Sequence, residues 1–275
     1  MPDTGLQLGL TDNAYNFLNE SMRNTMRAVE DMSQWTFAIV NAAQAIELLL
    51  KERLRREHKL LVFTDVDKPR RHTVSLDKAL DRLSSCGVEL EREDLDRIRR
   101  ARDLRNDVVH YEVSATEGQL EAAYVDLFEF AHVFHQRELG EELHPHLAPE
   151  LHGMEAALME RFRRDFVTYQ GEHMVKAFPS EIVESQQITH IAIEGSEYER
   201  IRYGGEGYWE FGNISGNCHD CGIVAGQLHA ITCDMEECPK CRGQLLSCPC
   251  QIDGDDEADQ LEDDEDQVAA SSNAP

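Results

Sequence analysis

Trp35-Thr36-Phe37-Ala38-Ile39-Val40-Asn41-Ala42-Ala43-Gln44-Ala45-Ile46-Glu47-Leu48-Leu49-Leu50-Lys51-Glu52-Arg53-Leu54 decides the fold of this 275-residue chain. Phe37, Ile39, Val40, Ala42, Ala43, Ala45, Ile46, Leu48, Leu49, Leu50 and Leu54 cover most of the circumference of a helix drawn through it. A helix apolar nearly all round belongs in the centre of a bundle. The segments on either side supply its neighbours. Thr11-Asp12 reads as an N-cap, and Ala14, Phe17, Leu18, Met22, Met26 and Val29 follow at helical spacing. Leu76, Ala79, Leu80 and Leu83 share one face of a helix over about 75–85, with Gly87 as its stop. Leu95, Ile98, Ala101, Leu104 and Val108 mark a helix from about Arg92 to Val109. Thr116-Glu117 caps a fifth, which runs to Leu139-Gly140.

The expected fold is mainly α. A helical bundle occupies residues 1–140, and a linker with a bridging helix from Pro149 to about Ala177 occupies 141–180. After Pro179 the pattern changes. Ile188–Ile193 alternates like a strand, Gly195-Ser196 can turn, Tyr198–Tyr203 can pair back, and Tyr208–Phe211 offers a third short strand. These strands and a cysteine-rich module fill 181–252. An acidic tail over 253–275 is too poor in apolar residues to fold, and is expected to be disordered.

Charge is uneven. Of the net −26, ten acids lie between Asp253 and Asp266, and without them the balance is −16. Residues 51–110 hold 16 of the 27 Lys and Arg against 13 acids. That local excess suits an anionic ligand, or equally a solvated helix surface laced with i,i+4 pairs. The uncompensated tail is itself a polyanion, which suggests either a solubiliser or an autoinhibitory occupant of the basic stretch. There is no run of 18 apolar residues, so no membrane span is expected. Met1–Gly5 lacks the marks of a signal peptide, so the expected place is the cytoplasm. Cysteines there serve metals more often than disulfides.

Seven of the eight cysteines are Cys218, Cys221, Cys233, Cys238, Cys241, Cys248 and Cys250. Cys218-x2-Cys221 and Cys238-x2-Cys241 are two knuckles whose four thiolates suit one tetrahedral zinc. With Cys233, Cys248, Cys250 and His229 the donors number eight, enough for two zinc ions. Every donor can then be used, which points to structural zinc. His219 reads as a bystander and Cys86 as a small buried apolar residue. Residues 214–252 resemble a zinc ribbon, a module that binds nucleic acid, protein or neither.

Arg102-Asp103-Leu104-Arg105-Asn106-Asp107-Val108-Val109-His110-Tyr111-Glu112 closes the fourth helix. Arg105-Asn106-x3-His110 resembles the R-x4–6-H motif of HEPN domains, and the bundle over about 10–140 is similar to theirs. The resemblance implies metal-independent cleavage of RNA, by a homodimer whose two motifs face one cleft. It also implies a toxin or phage-defence role, which admits a neutralising protein partner. In that chemistry the ribose 2′-OH attacks phosphorus and His110 acts as general base or acid. Arg105 holds the non-bridging oxygens, and Asn106 orients the histidine or the phosphate. Many HEPN domains bind without cleaving, so a silent HEPN and zinc-ribbon module for RNA or a protein is the alternative. Arg105 would then simply pair with Asp103, Asp107 or Glu112, and His110 would cap the helix. Five residues turn a helix by about 500°, which leaves Arg105 and His110 about 140° apart. They converge only if the helix breaks between them or a second subunit completes the site. Tyr111 can stack on a base or pack.

Weaker metal candidates are His132 and His135 with Glu129, and His144, His146 and His152 in a loop and the start of the following helix. No P-loop, G-x-S-x-G elbow or dinucleotide fingerprint is present.

Overall fold

A computed structural model describes residues 6–69, 72–111, 114–207, 216–231 and 233–253. The chain divides into two compact units, Met1–Ala177 and Phe178–Pro275. Among the described residues no helix is long and apolar enough to cross a membrane.

The first unit is a bundle of α1 (Leu10–Ala28), α2 (Gln34–Glu57), α3 (Leu76–Ser85), α4 (Arg92–His110) and α5 (Glu117–Phe134). The apolar stretch becomes α2, which packs against α1, α3, α4 and α5. Ile39, Ile46, Leu49, Leu50 and Leu54 are buried along it. Each contributes about 1.5–3 kcal/mol by leaving water. Phe37 departs from the expected pattern and is exposed, as are Met26 on α1 and Val29 just after it. A single helix cannot be covered on every side where its neighbours end.

Local chemistry sets the helix ends. Asp12 caps α1 from inside its first turn, its Oδ2 accepting from the Gly9 N–H at 3.0 Å. Thr116 and Gln119 form a reciprocal capping box at α5. After α3, Gly87 takes φ +83°, where a side chain would be strained, and Val88 N–H returns to the Leu83 carbonyl. At the end of α5 a π-type turn over His135–Leu139 leads into Gly140 at φ +75°. Buried charge holds α4 to α5. Glu129, fully buried on α5, accepts from Arg97 Nη1 at 3.2 Å and Arg164 Nη1 at 2.9 Å.

The expected bridging helix over Pro149–Ala177 is not formed. α6 covers only His152–Glu160, and the chain then makes a hairpin of β1 (Phe166–Tyr169) and β2 (Glu172–Val175). Leu158, Phe162 and Phe166 fit helical spacing, yet Gln170 and Gly171 both take positive φ. That pair is the two-residue turn that right-twisted strands require.

The second unit opens with α7 (Phe178–Ser185). It continues with an antiparallel hairpin of β3 (His190–Ile193) and β4 (Ser196–Glu199), turned by Glu194 and Gly195 at positive φ. A hairpin forms as expected, but its second strand begins at Ser196 and ends at Glu199 and does not run from Tyr198 to Tyr203, because the turn falls on Glu194-Gly195. Ile252 bridges to Ile193, with Glu194 N–H donating to the Gln251 carbonyl at 3.0 Å. One core cluster here is Ile193, Cys238 and Leu245, flanked by Ile191, Tyr198, Cys248, Cys250 and Ile252, and Ile182, Ile223 and Leu228 are buried as well. The strand expected at Tyr208–Phe211 and the tail beyond Asp253 lie outside the described residues.

Candidate functional site

Two constellations that could hold a metal ion form in the second unit, and they are divided differently from the two-knuckle reading. Cys218, Cys221, His229 and Cys233 converge in one group, and Cys238, Cys241, Cys248 and Cys250 in the other. The knuckles therefore do not share one ion. Each finds its remaining two donors a few residues downstream, where loop closure costs least. The two knuckles are the same turn made twice. Cys218 N–H donates to the Ile223 carbonyl and Gly222 N–H to Cys218 O, each at 2.8 Å. Cys238 N–H donates to Gly243 O at 2.7 Å and Arg242 N–H to Cys238 O at 2.9 Å. The residue after each knuckle, Gly222 or Arg242, has positive φ.

All four donors of the first group are buried. Cys218 and Cys233 sulfurs lie 3.8 Å apart, and His229 Nδ1 lies 3.4 Å from Cys221 Sγ and 3.1 Å from Cys233 Sγ. His229 Nε2 meets Glu206 Oε1 at 2.9 Å. A carboxylate behind an imidazole fixes the ring and leaves its other nitrogen for a metal. Burial alone would depress His229, yet the Cys218 and Cys221 sulfurs and Glu206 push it up to about 11. In the second group Cys238 is buried, Cys248 and Cys250 are half-buried and Cys241 is exposed. Both groups could hold metal ions. His219 belongs to neither group. Glu206, twelve residues before Cys218, carried no sequence signal.

The Arg105 stretch lies in the first unit. Arg105 and Asn106 line a pocket of about 170 Å³ with Gln44, Glu47, Ser75, Asp77 and Arg102. Arg102 is committed to Asp77 and Asp103, and Glu47 to Lys51 at 2.6 Å. Arg105 donates to Asn106 Oδ1 at 3.2 Å. Among the described residues it makes no ion pair, with Asp103 or with Asp107. Glu112 lies outside them. α4 runs without a break to His110, so within one chain Arg105 and His110 are not brought together. His110 is exposed, and so is Tyr111 at 80%, which overturns a packing role for Tyr111 within this chain. Beyond Ala101 no residue of α4 is fully buried.

The remaining candidates also separate. His135 bonds the Tyr15 hydroxyl and the Glu141 carbonyl, each at 2.7 Å. Glu129 serves arginines, so His132, His135 and Glu129 form no metal group. His146 stacks on Tyr15. His144 and His152 do converge, on Glu155, for which the His152-x2-Glu155 spacing was the available signal. Cys86 is exposed and not the buried apolar residue expected, because it lies beyond the last turn of α3 as its C-cap. No protein-family model, curated protein or solved structure matches the chain.

Proposed function

We propose that the chain is a metal-independent endoribonuclease of the HEPN type, acting as a homodimer and carrying a zinc-stabilised C-terminal module. The observation that supports it most is Arg105, a guanidinium in a pocket with no carboxylate partner among the described residues. An unneutralised guanidinium with an amide beside it suits a phosphodiester. In the reaction the 2′-oxygen bonds to phosphorus as the bond to the 5′-oxygen breaks, leaving a 2′,3′-cyclic phosphate and a 5′-hydroxyl. His110 takes the proton of the 2′-OH or returns one to the leaving oxygen, while Arg105 and Asn106 hold the phosphoryl oxygens. Because α4 is unbroken, Arg105 of one subunit works with His110 of the other.

The cysteine groups support zinc in particular. Tetrahedral thiolates at 2.3 Å from zinc stand about 3.8 Å apart, which is the Cys218–Cys233 separation. With no open position, such zinc is structural.

The angular separation of Arg105 and His110 along α4 favours a second reading, a silent module that binds RNA or a protein. Wild type, Arg105→Ala and His110→Ala, each checked for folding by circular dichroism, separate the two when assayed on single-stranded RNA with a chelator present. Cleavage by wild type and loss of at least about 100-fold in both variants is expected. Equal behaviour of all three would remove the enzymatic reading.

A further inference from the structure

The first unit holds a third constellation, remote in sequence from the cysteines. His152 and Glu155 lie one turn apart on α6 and face the same way. His144 comes to them from a short 3-10 turn, His144–His146. Its Nδ1 lies 2.5 Å from Glu155 Oε2, and its ring centroid is 4.1 Å from that of His152. One ligand atom from each of the three falls within 4.8 Å of the others. Tyr169, 1% exposed, closes the site edge-on to His144 at 4.6 Å.

The unmet valences are informative. Glu155 is fully buried, and among the described residues no arginine or lysine reaches it. Its Oε1 has no hydrogen-bond partner, and neither has the buried Nε2 of His152. Backbone groups of Leu147 and His144 hydrogen-bond the His152 ring. That arrangement places the ring proton on the nitrogen facing the backbone and leaves Nε2 as an acceptor. A carboxylate oxygen and an imidazole nitrogen of one three-residue cluster are thus both buried without a hydrogen-bond partner. Such groups cost free energy unless a cation joins them.

We propose that His144, His152 and Glu155 bind a divalent transition-metal ion of the zinc class. Two imidazoles and one carboxylate are a donor set for such ions and not for magnesium or calcium, which take oxygen. Ligands about 2.0–2.1 Å from a tetrahedral ion stand about 3.3 Å apart. Loading therefore opens the His144–Glu155 pair by somewhat under about 1 Å. The ion pins the turn after α5 to α6, and a water completes its fourth position.

Cobalt(II) titration of the full-length, metal-stripped protein tests this. Ions on the cysteines give sulfur-to-cobalt charge-transfer absorption, whereas an ion on His144, His152 and Glu155 gives only ligand-field bands. The expected result is one further equivalent per chain bound without charge transfer. It is lost in His152→Ala and in Glu155→Gln while the charge-transfer band is unchanged. A wild type that takes up cobalt only with charge transfer overturns the proposal, and that reading needs no variant to fold. Retention of the thiolate-free equivalent in both variants overturns it as well.

Discussion

Arg200 and Glu236 meet as a fork on a carboxylate inside the second unit. Nε and Nη2 of Arg200 each lie 2.7 Å from a separate oxygen of Glu236, and both side chains are 1% exposed. The same guanidinium donates to the carbonyls of Ser185 at 3.2 Å, Ile188 at 3.0 Å and His229 at 2.7 Å. One side chain thereby ties α7, the approach to β3 and the backbone of a metal-ligand residue together.

Removing one partner leaves the other charge buried and alone. Arg200→Met is expected to destabilise the second unit by about 3–5 kcal/mol, and adding Glu236→Leu recovers only the part due to the stranded carboxylate, since the Ser185, Ile188 and His229 carbonyls still lack their donor. Denaturant melts of the full chain, followed by a probe in each unit, check this. The single variant also weakens metal binding at Cys218, Cys221, His229 and Cys233, because the His229 carbonyl loses its donor.

The two cysteine groups share no ligand, so they are expected to fail one at a time. Cys221→Ser and Cys241→Ser should each remove one thiolate-bound ion per chain and leave the other in place. Cobalt charge-transfer intensity halved in either variant and abolished in the double variant is the expected result. A single ion shared by both knuckles would instead be lost completely in each.

Stability should fall as acid reaches His132. Burial, with the neighbouring His135 and His144 imidazoles adding to it, holds its pKa down at about 4 against 6.5 for a free imidazole. The unfolded chain therefore binds the extra proton first. The native state has its full advantage above pH 6.5 and loses it progressively as pH falls towards 4, by about 3 kcal/mol in all. In His132→Phe the slope of unfolding free energy against pH over this window should flatten.

A site shared between subunits makes a distinctive prediction for Arg105 and His110. Arg105→Ala and His110→Ala, each inactive alone, should regain activity when mixed. With random exchange half the dimers are mixed, and one of their two sites has both wild-type groups. Recovery of about a quarter of wild-type activity is expected. A mixture as inactive as its components would place both groups in one chain.

The central helix was legible because nothing but a bundle interior covers Ile39, Ile46, Leu49 and Leu54 together. The β3–β4 hairpin was legible from alternation about Gly195. The β1–β2 hairpin was not, since Leu158, Phe162 and Phe166 imitate a helical stripe and only Gln170-Gly171 marks the turn. The metal donors could be read as residue types but not as partners. Spacing brings thiolates near one another without saying which knuckle closes on which later cysteine. Glu206 was hidden for a related reason: a carboxylate behind a histidine is brought there by the fold.

Each cysteine group is complete within its own segment, Cys218–Cys233 and then Cys238–Cys250, and the two do not interleave. During synthesis the first set of donors leaves the ribosome whole before the second appears. An ion held there would not have to wait for the later chain or be shared with its thiols. An interleaved arrangement would leave the first knuckle reactive until the last cysteine arrived. The sequential order makes the module self-sorting, and its correct ligation is built into the direction of translation.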